Sequence, residues 1–171
     1  MRKLDAKLRW LPFELHPETP PEGAPKPFPP EAWPAIRERL IRTARMVGLP
    51  IDPPSRNYNS RFALETAELV RARAGDDASG AFHHDVSRAF FTEQANIAQP
   101  ATIIPLAERY GASAADVEQA WAEHRYAKTV DDFIGAAYRA GVNGVPAMAW
   151  PNRLAVVGMQ PAEDLVRALS S

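Results

Sequence analysis

A chain of 171 residues is about one domain long, and its 46% hydrophobic and 24% charged residues suit a globular chain that buries a core without staples. Twenty basic against 21 acidic residues leave a formal net charge of −1, which argues against a nucleic-acid binder with a basic face and against an anionic-membrane binder. There is no cysteine, so the chain supplies no disulfide, no cysteine-ligated metal site and no thiolate nucleophile.

The first predicted element is a strand over 7–15, where Leu8 and Trp10 alternate and Pro12 ends or bends it. Residues 16–30 hold seven of the 17 prolines together with Gly23, a density that no helix survives; the reading is an extended, rigid connection. Helical spacing begins at Trp33 and runs through Ile36, Leu40 and Ile41 to a stop at Gly48-Leu49-Pro50, giving a helix over 31–47. Residues 51–58 read as loop.

Asn59 or Ser60 can then cap a helix bearing Phe62, Leu64, Ala67, Leu69 and Val70, which the stretch from Gly75 to Gly80 breaks. Phe82, Val86, Ala89 and Phe90 continue a helical face. Thr102 and Ser113 both look like N-caps; the first opens a short helix with Ile103, Leu106 and Ala107 that ends at Gly111, with Pro105 in its first turn. The second forms a capping-box-like pair with Asp116 ahead of Val117, Ala120 and Trp121. Val130, Phe133, Ile134 and Ala137 mark another helix, with Gly141 after it.

The last 30 residues differ in kind. Ala147 to Trp150 and Leu154 to Val157 read as a β-hairpin turned at Pro151-Asn152, and Pro161 opens a closing helix with Leu165, Val166 and Leu169. The order is β, five or six helices, β, β, α. No apolar run approaches the ~20 residues that span a bilayer, and Met1-Arg2-Lys3 leads into no apolar signal core, so the expected address is the cytoplasm.

Candidate chemistry is sparse. His83-His84-Asp85 with His124 invites a metal reading, but neighbours on a helix point about 100° apart, so two solvated histidines are the better account. No Gly-x-Ser-x-Gly elbow exists, and Gly141-Val-Asn-Gly144 lacks both the third glycine and the following helix of a phosphate loop. No catalytic or metal-binding residue is assigned. Trp10, Trp33, Trp121 and Trp150 are expected in the core. Gly144-Val145-Pro146, a proline opening a strand beside a hairpin, is the one specific local feature.

Several short motifs recur in order from residue 8 onward: Trp10-Leu-Pro-Phe-Glu-Leu-His-Pro17 with Pro21-Glu-Gly23, Asn59-Ser-Arg-Phe-Ala63, Arg88-Ala-Phe-Phe91 with Asn96-Ile97, Gly141-Val-Asn-Gly-Val-Pro146 and Val157-Gly-Met-Gln-Pro161. Together they resemble the DsbA-type thioredoxin superfamily, in its FrnE-like branch that borders on the 2-hydroxychromene-2-carboxylate isomerases. The resemblance implies an α/β thioredoxin-like fold of three parts: 1–30 as first strand and proline-rich connection, 31–140 as an inserted all-helical subdomain, and 141–171 as Gly-Val-Pro loop, hairpin and last helix. It also implies a cis proline whose preceding residue pairs through its backbone with an extended peptide or glutathione, which places substrate at Gly144, Val145 and Pro146.

The N-terminal strand and Cys-x-x-Cys helix of that family are not found, and a shortened chain or a misplaced start codon would account for it. The expected protein is therefore a thiol–disulfide oxidoreductase relative that is redox-inactive as written. A glutathione-binding isomerase or transferase is the alternative, with glutathione as the one cofactor in view, and so is a non-catalytic binding module. Strands flanking a gap would expose edges that invite a homodimer.

Overall fold

Residues 8–150 and 156–170 are described by the computed structural model of the chain. In chain order the elements are β1 (Ala24–Pro25), a 3-10 turn at Pro30–Ala32, α1 (Trp33–Met46), β2 (Arg56–Asn57), α2 (Arg61–Phe91), α3 (Pro100–Glu108), α4 (Ala114–Ala122), α5 (Ala127–Arg139), β3 (Ala147–Met148), β4 (Val156–Val157) and α6 (Ala162–Ser170).

The core lies where α2, α3 and α4 meet. Phe82, Val70, Ile103 and Val117 are fully buried there, and Ala63, Ala67, Ala89, Ala107 and Ala120 let the helix axes approach closely. Thr66 ties two helices together, donating its hydroxyl to the Phe62 carbonyl at 2.6 Å and accepting the Trp121 indole N–H at 3.0 Å. Trp121 also packs on Phe62, ring centroids 4.7 Å apart.

The expected break over 75–80 is confined to one residue. Gly75 has φ 87° and ψ −178°, a conformation essentially reserved for glycine, and helix runs on both sides of it, through Gly80. Across the break the Ser79 hydroxyl donates to the Ala67 carbonyl at 3.0 Å. At the head of α2, Asn59 Oδ1 accepts the Arg61 N–H at 2.8 Å, so Asn59 supplies the cap, while Ser60 holds the N-cap position without a side-chain bond. Ser113 and Asp116 form the capping box of α4. Thr102 caps nothing: α3 begins at Pro100 with Gln99 as N-cap, which leaves Pro105 in the helix interior. Proline at the first helical position outcompeted the threonine as a start signal.

The N-terminal strand does not form. Residues 8–15 carry no strand and make no backbone–backbone hydrogen bond among the described residues, because alternation gives a segment the capacity for a ladder but not a partner. The hairpin is real but short: Ala147 pairs with Val157 and Met148 with Val156, antiparallel. The turn at Pro151-Asn152 and the residues Leu154 and Ala155 lie outside the described residues. Among the described residues β3, β4 and α6 pack on none of α1 to α5.

The proline-rich connection is strapped down. Ala24 and Pro25 pair with Asn57 and Arg56 in a two-residue antiparallel ribbon, Arg56 donates to the Gly23 carbonyl at 2.7 Å, and Asn59 and Asn96 donate to the carbonyls of Thr19 (2.8 Å) and Pro21 (3.0 Å). Gly23, at φ 83°, lies against the Tyr58 ring, which a Cβ would meet at 2.5 Å. Proline removes N–H donors but leaves carbonyls, and side-chain amides collect them.

Candidate functional site

After α5 the chain turns at Gly141 (φ 79°), and the Val142 N–H donates to the Ala137 carbonyl at 2.9 Å, burying Val142 and fixing where the next residues start. Gly144, Val145 and Pro146 then lead into β3, and the Val145–Pro146 peptide bond is cis. The Pro146 carbonyl accepts the Gly158 N–H at 2.7 Å, which extends the hairpin one step past the Ala147–Val157 pair. A Cβ on Gly144 would meet only Val157 Cγ1, at 3.8 Å, so the loop is open on that side.

Val145 is 52% exposed, and, like Asn143 and Gly144 before it, makes no backbone hydrogen bond among the described residues. From Gly141 to Trp150 there is no ionisable side chain. The loop can therefore offer a backbone donor, a backbone acceptor and apolar surface, the elements that add an extended chain to a sheet edge. It holds no acid, base or nucleophile.

The other sequence candidates are scattered. His83 turns inward against Trp10, ring centroids 6.1 Å apart, with Nε2 buried and unpartnered among the described residues; burial, helped by the Arg71 charge, lowers its pKa to about 4. His84 faces out. Asp85 accepts from the Tyr110 hydroxyl at 2.9 Å and from Arg109 at 3.3 Å. His124 is exposed just past α4. No cluster of three His, Asp or Glu able to hold a metal exists among the described residues.

The tryptophans correct the expectation of burial: Trp33, Trp121 and Trp150 are half-buried and Trp10 is 51% exposed, because the segment carrying Trp10 has no sheet to cover it. A polar centre that the sequence did not reveal sits at Arg61. It donates to Glu65 (2.6 Å), Glu14 (3.1 Å), Asp131 (2.6 Å) and the Ala127 carbonyl (2.8 Å), joining α2 to the N-terminal segment and α5. Its only sequence signal is the i, i+4 spacing to Glu65.

A hairpin entered through Gly-Val-Pro, followed by a closing helix and preceded by a mainly helical block, which is not the all-helical one expected because β2 within it pairs with β1, fits a thioredoxin-like α/β protein with a helical insertion. The model of the DSBA-like thioredoxin domain matches residues 1–170, and the chain belongs to that family. Among solved structures it is similar to a candidate DsbA oxidoreductase from Streptomyces coelicolor, with TM-score 0.80 and 23% identity, over 92% of this chain and 71% of that one. A candidate protein disulfide isomerase from Nitrosomonas europaea follows with TM-score 0.68 and 19% identity, over 86% and 76% of the two chains. A 2-hydroxychromene-2-carboxylate isomerase matches with TM-score 0.63 and 22% identity, over 81% of this chain and 64% of that one. No curated protein matches.

Proposed function

We propose that this DsbA-family chain is a thiol-free substrate-holding domain, which takes an extended peptide backbone, that of an unfolded segment or of glutathione, against Val145 at the mouth of the β3–β4 hairpin. The observation that carries this reading is an exposed Val145 whose N–H and carbonyl have no partner among the described residues, next to Pro146, whose carbonyl is already used within the hairpin. An extended chain supplies the matching acceptor and donor, and Gly144 leaves it room. With no cysteine the 171 residues cannot attack a disulfide, so the site binds and does not exchange. Membership of the FrnE-like branch and residence in the cytoplasm belong to the same proposal, supported by the ordered motifs and by a composition with no cysteine to pair.

Calorimetric titration with a short unstructured peptide and with glutathione tests it. Binding is expected at millimolar ligand or below, and Val145→Pro, which removes the N–H, should abolish it. Absence of heat with both ligands overturns the reading.

A further inference from the structure

Helix α1 carries three arginines, spaced by three residues, that no carboxylate meets. Most arginines of the chain do meet one, and Arg37 of α1 does so with Asp52. Arg39, Arg42 and Arg45 are exposed and make no ion pair or side-chain hydrogen bond among the described residues. Each step of three residues turns the helix by about 60° and advances ~4.5 Å, so the three cations share one face, within about 120° and ~9 Å. Glu38 is the only acidic residue of α1. A cation in the last turn suits the helix dipole, which accounts for Arg45 but not for Arg39 and Arg42.

Arg45 also lines a cleft of about 510 Å³ at the end of α1, with Ile41, Leu49, Pro50 and Ile51 as its apolar wall. Hydrogen bonds fix its shape: the Leu49 N–H donates to the Ala44 carbonyl (2.9 Å), the Thr92 hydroxyl to the Pro50 carbonyl (2.8 Å) and the Asp52 N–H to the Phe91 carbonyl (2.6 Å). The Asp52 carboxylate is occupied by Arg37 and, at 2.6 Å, by Gln94. Of the charged side chains lining the cleft, Arg45 alone has no partner among the described residues. Met46 and Val47, 83% and 67% exposed, lie in the chain between Arg45 and Leu49.

A preformed apolar cleft beside unpaired guanidinium groups matches a ligand that is apolar at one point and carries carboxylates next to it. A phosphate backbone is held through counterion release at many contacts, and three cations beside Glu38 are few for it. A bilayer surface presents no side chain to enter a cleft. A linear protein segment that mixes carboxylates with large apolar side chains supplies both features. We infer that the C-terminal half of α1 and this cleft form a docking site for such an acidic segment of another protein, one large apolar side chain seated in the cleft and carboxylates on Arg42 and Arg45. Among the described residues the hairpin bearing the Val145 loop does not pack on α1, so failure of this inference leaves the binding proposal standing.

Fluorescence anisotropy with a short labelled peptide of glutamate and leucine tests it. Binding is expected in the micromolar range at about 50 mM salt and should weaken several-fold as salt is raised. The double substitution Arg42→Glu with Arg45→Glu should weaken it at least about tenfold with an unchanged circular dichroism spectrum, as should replacing the peptide's glutamates by glutamine, whereas Lys128→Glu on α5 should leave it unchanged. A second measurement needs no variant: in the backbone amide spectrum of the wild type the peptide should shift Arg45, Gly48, Leu49 and Ile51, whatever it does at Val145. Absence of binding, equal affinity for the charge-reversed chain or the glutamine peptide, or shifts that leave the cleft unmoved overturns the inference. So does capture of the chain by phosphatidylserine vesicles when the peptide does not bind. Shifts confined to Val145 and its neighbours would overturn this site while supporting the other.

Discussion

The Arg61 guanidinium lies among three carboxylates from three parts of the chain, two of them, Glu14 and Glu65, nearly inaccessible to solvent. Removing the cation strands those charges, and a broken buried pair costs about 3–5 kcal/mol. Arg61→Met, which keeps the stem's packing, is therefore expected to lower the unfolding free energy measured in urea by that order, whereas Lys128→Met, on an exposed pair, should change it by well under about 1 kcal/mol. His83 sets a pH dependence of a different kind. Its folded pKa near 4 lies below the ordinary 6.5, so the unfolded chain takes up the proton first, and stability falls as pH drops from 6.5 towards 4 and is indifferent to this group outside that window. Unfolding free energies from urea titrations at about pH 7, 6 and 5 should decline in the wild type, by up to ~1.4 kcal/mol per pH unit from this group, and decline less in His83→Phe. Neither residue's role was legible in the sequence, since Arg61 depends on partners 47 and 70 positions away. His83 depends on a tryptophan that arrives from the opposite end of the block.

Helices and the local hairpin were legible, and pairing between distant segments was not. The spacing of Val117, Ala120 and Trp121 after a Ser113–Asp116 box is local information, and α4 forms as it dictates. The hairpin was likewise local. The segment at 8–15 had a strand's pattern, but pairing is a property of two segments, and no described partner meets it. The β1–β2 ribbon was missed for the converse reason: Ala24-Pro25 has no strand pattern and is held by the Arg56 and Asn59 side chains. Gly75 is the clearest test at this scale. Nothing lies within 4 Å of where a Cβ would stand, so Gly75→Ala adds no clash, only the cost of φ 87° and ψ −178° for a residue with a side chain. A loss of about 1–3 kcal/mol in unfolding free energy, measured by urea titration, is expected, with helical content retained.

For the whole molecule, the zero cysteine count and the family membership bear on each other. The chain belongs to the DSBA-like thioredoxin domains, yet no thiolate is present to attack a disulfide, so insulin reduction by the pure protein with dithiothreitol is expected to proceed at the reagent rate. Turnover above that blank would require a mechanism outside thiol chemistry. The candidate loop was legible as a motif, Gly144-Val145-Pro146 beside a hairpin, but its free backbone was not: that Gly144 and Val145 make no backbone hydrogen bond among the described residues, while Pro146 bonds Gly158, emerges only from the folded hairpin. The most direct measurement is the backbone amide spectrum of the isotope-labelled protein titrated with a short extended peptide. Shifts and slowed amide exchange centred on Val145, reaching Gly144 and Ala147 and sparing α3 and α4, are expected. A titration that leaves Val145 unmoved while the peptide binds elsewhere, or does not bind at all, would contradict the assignment.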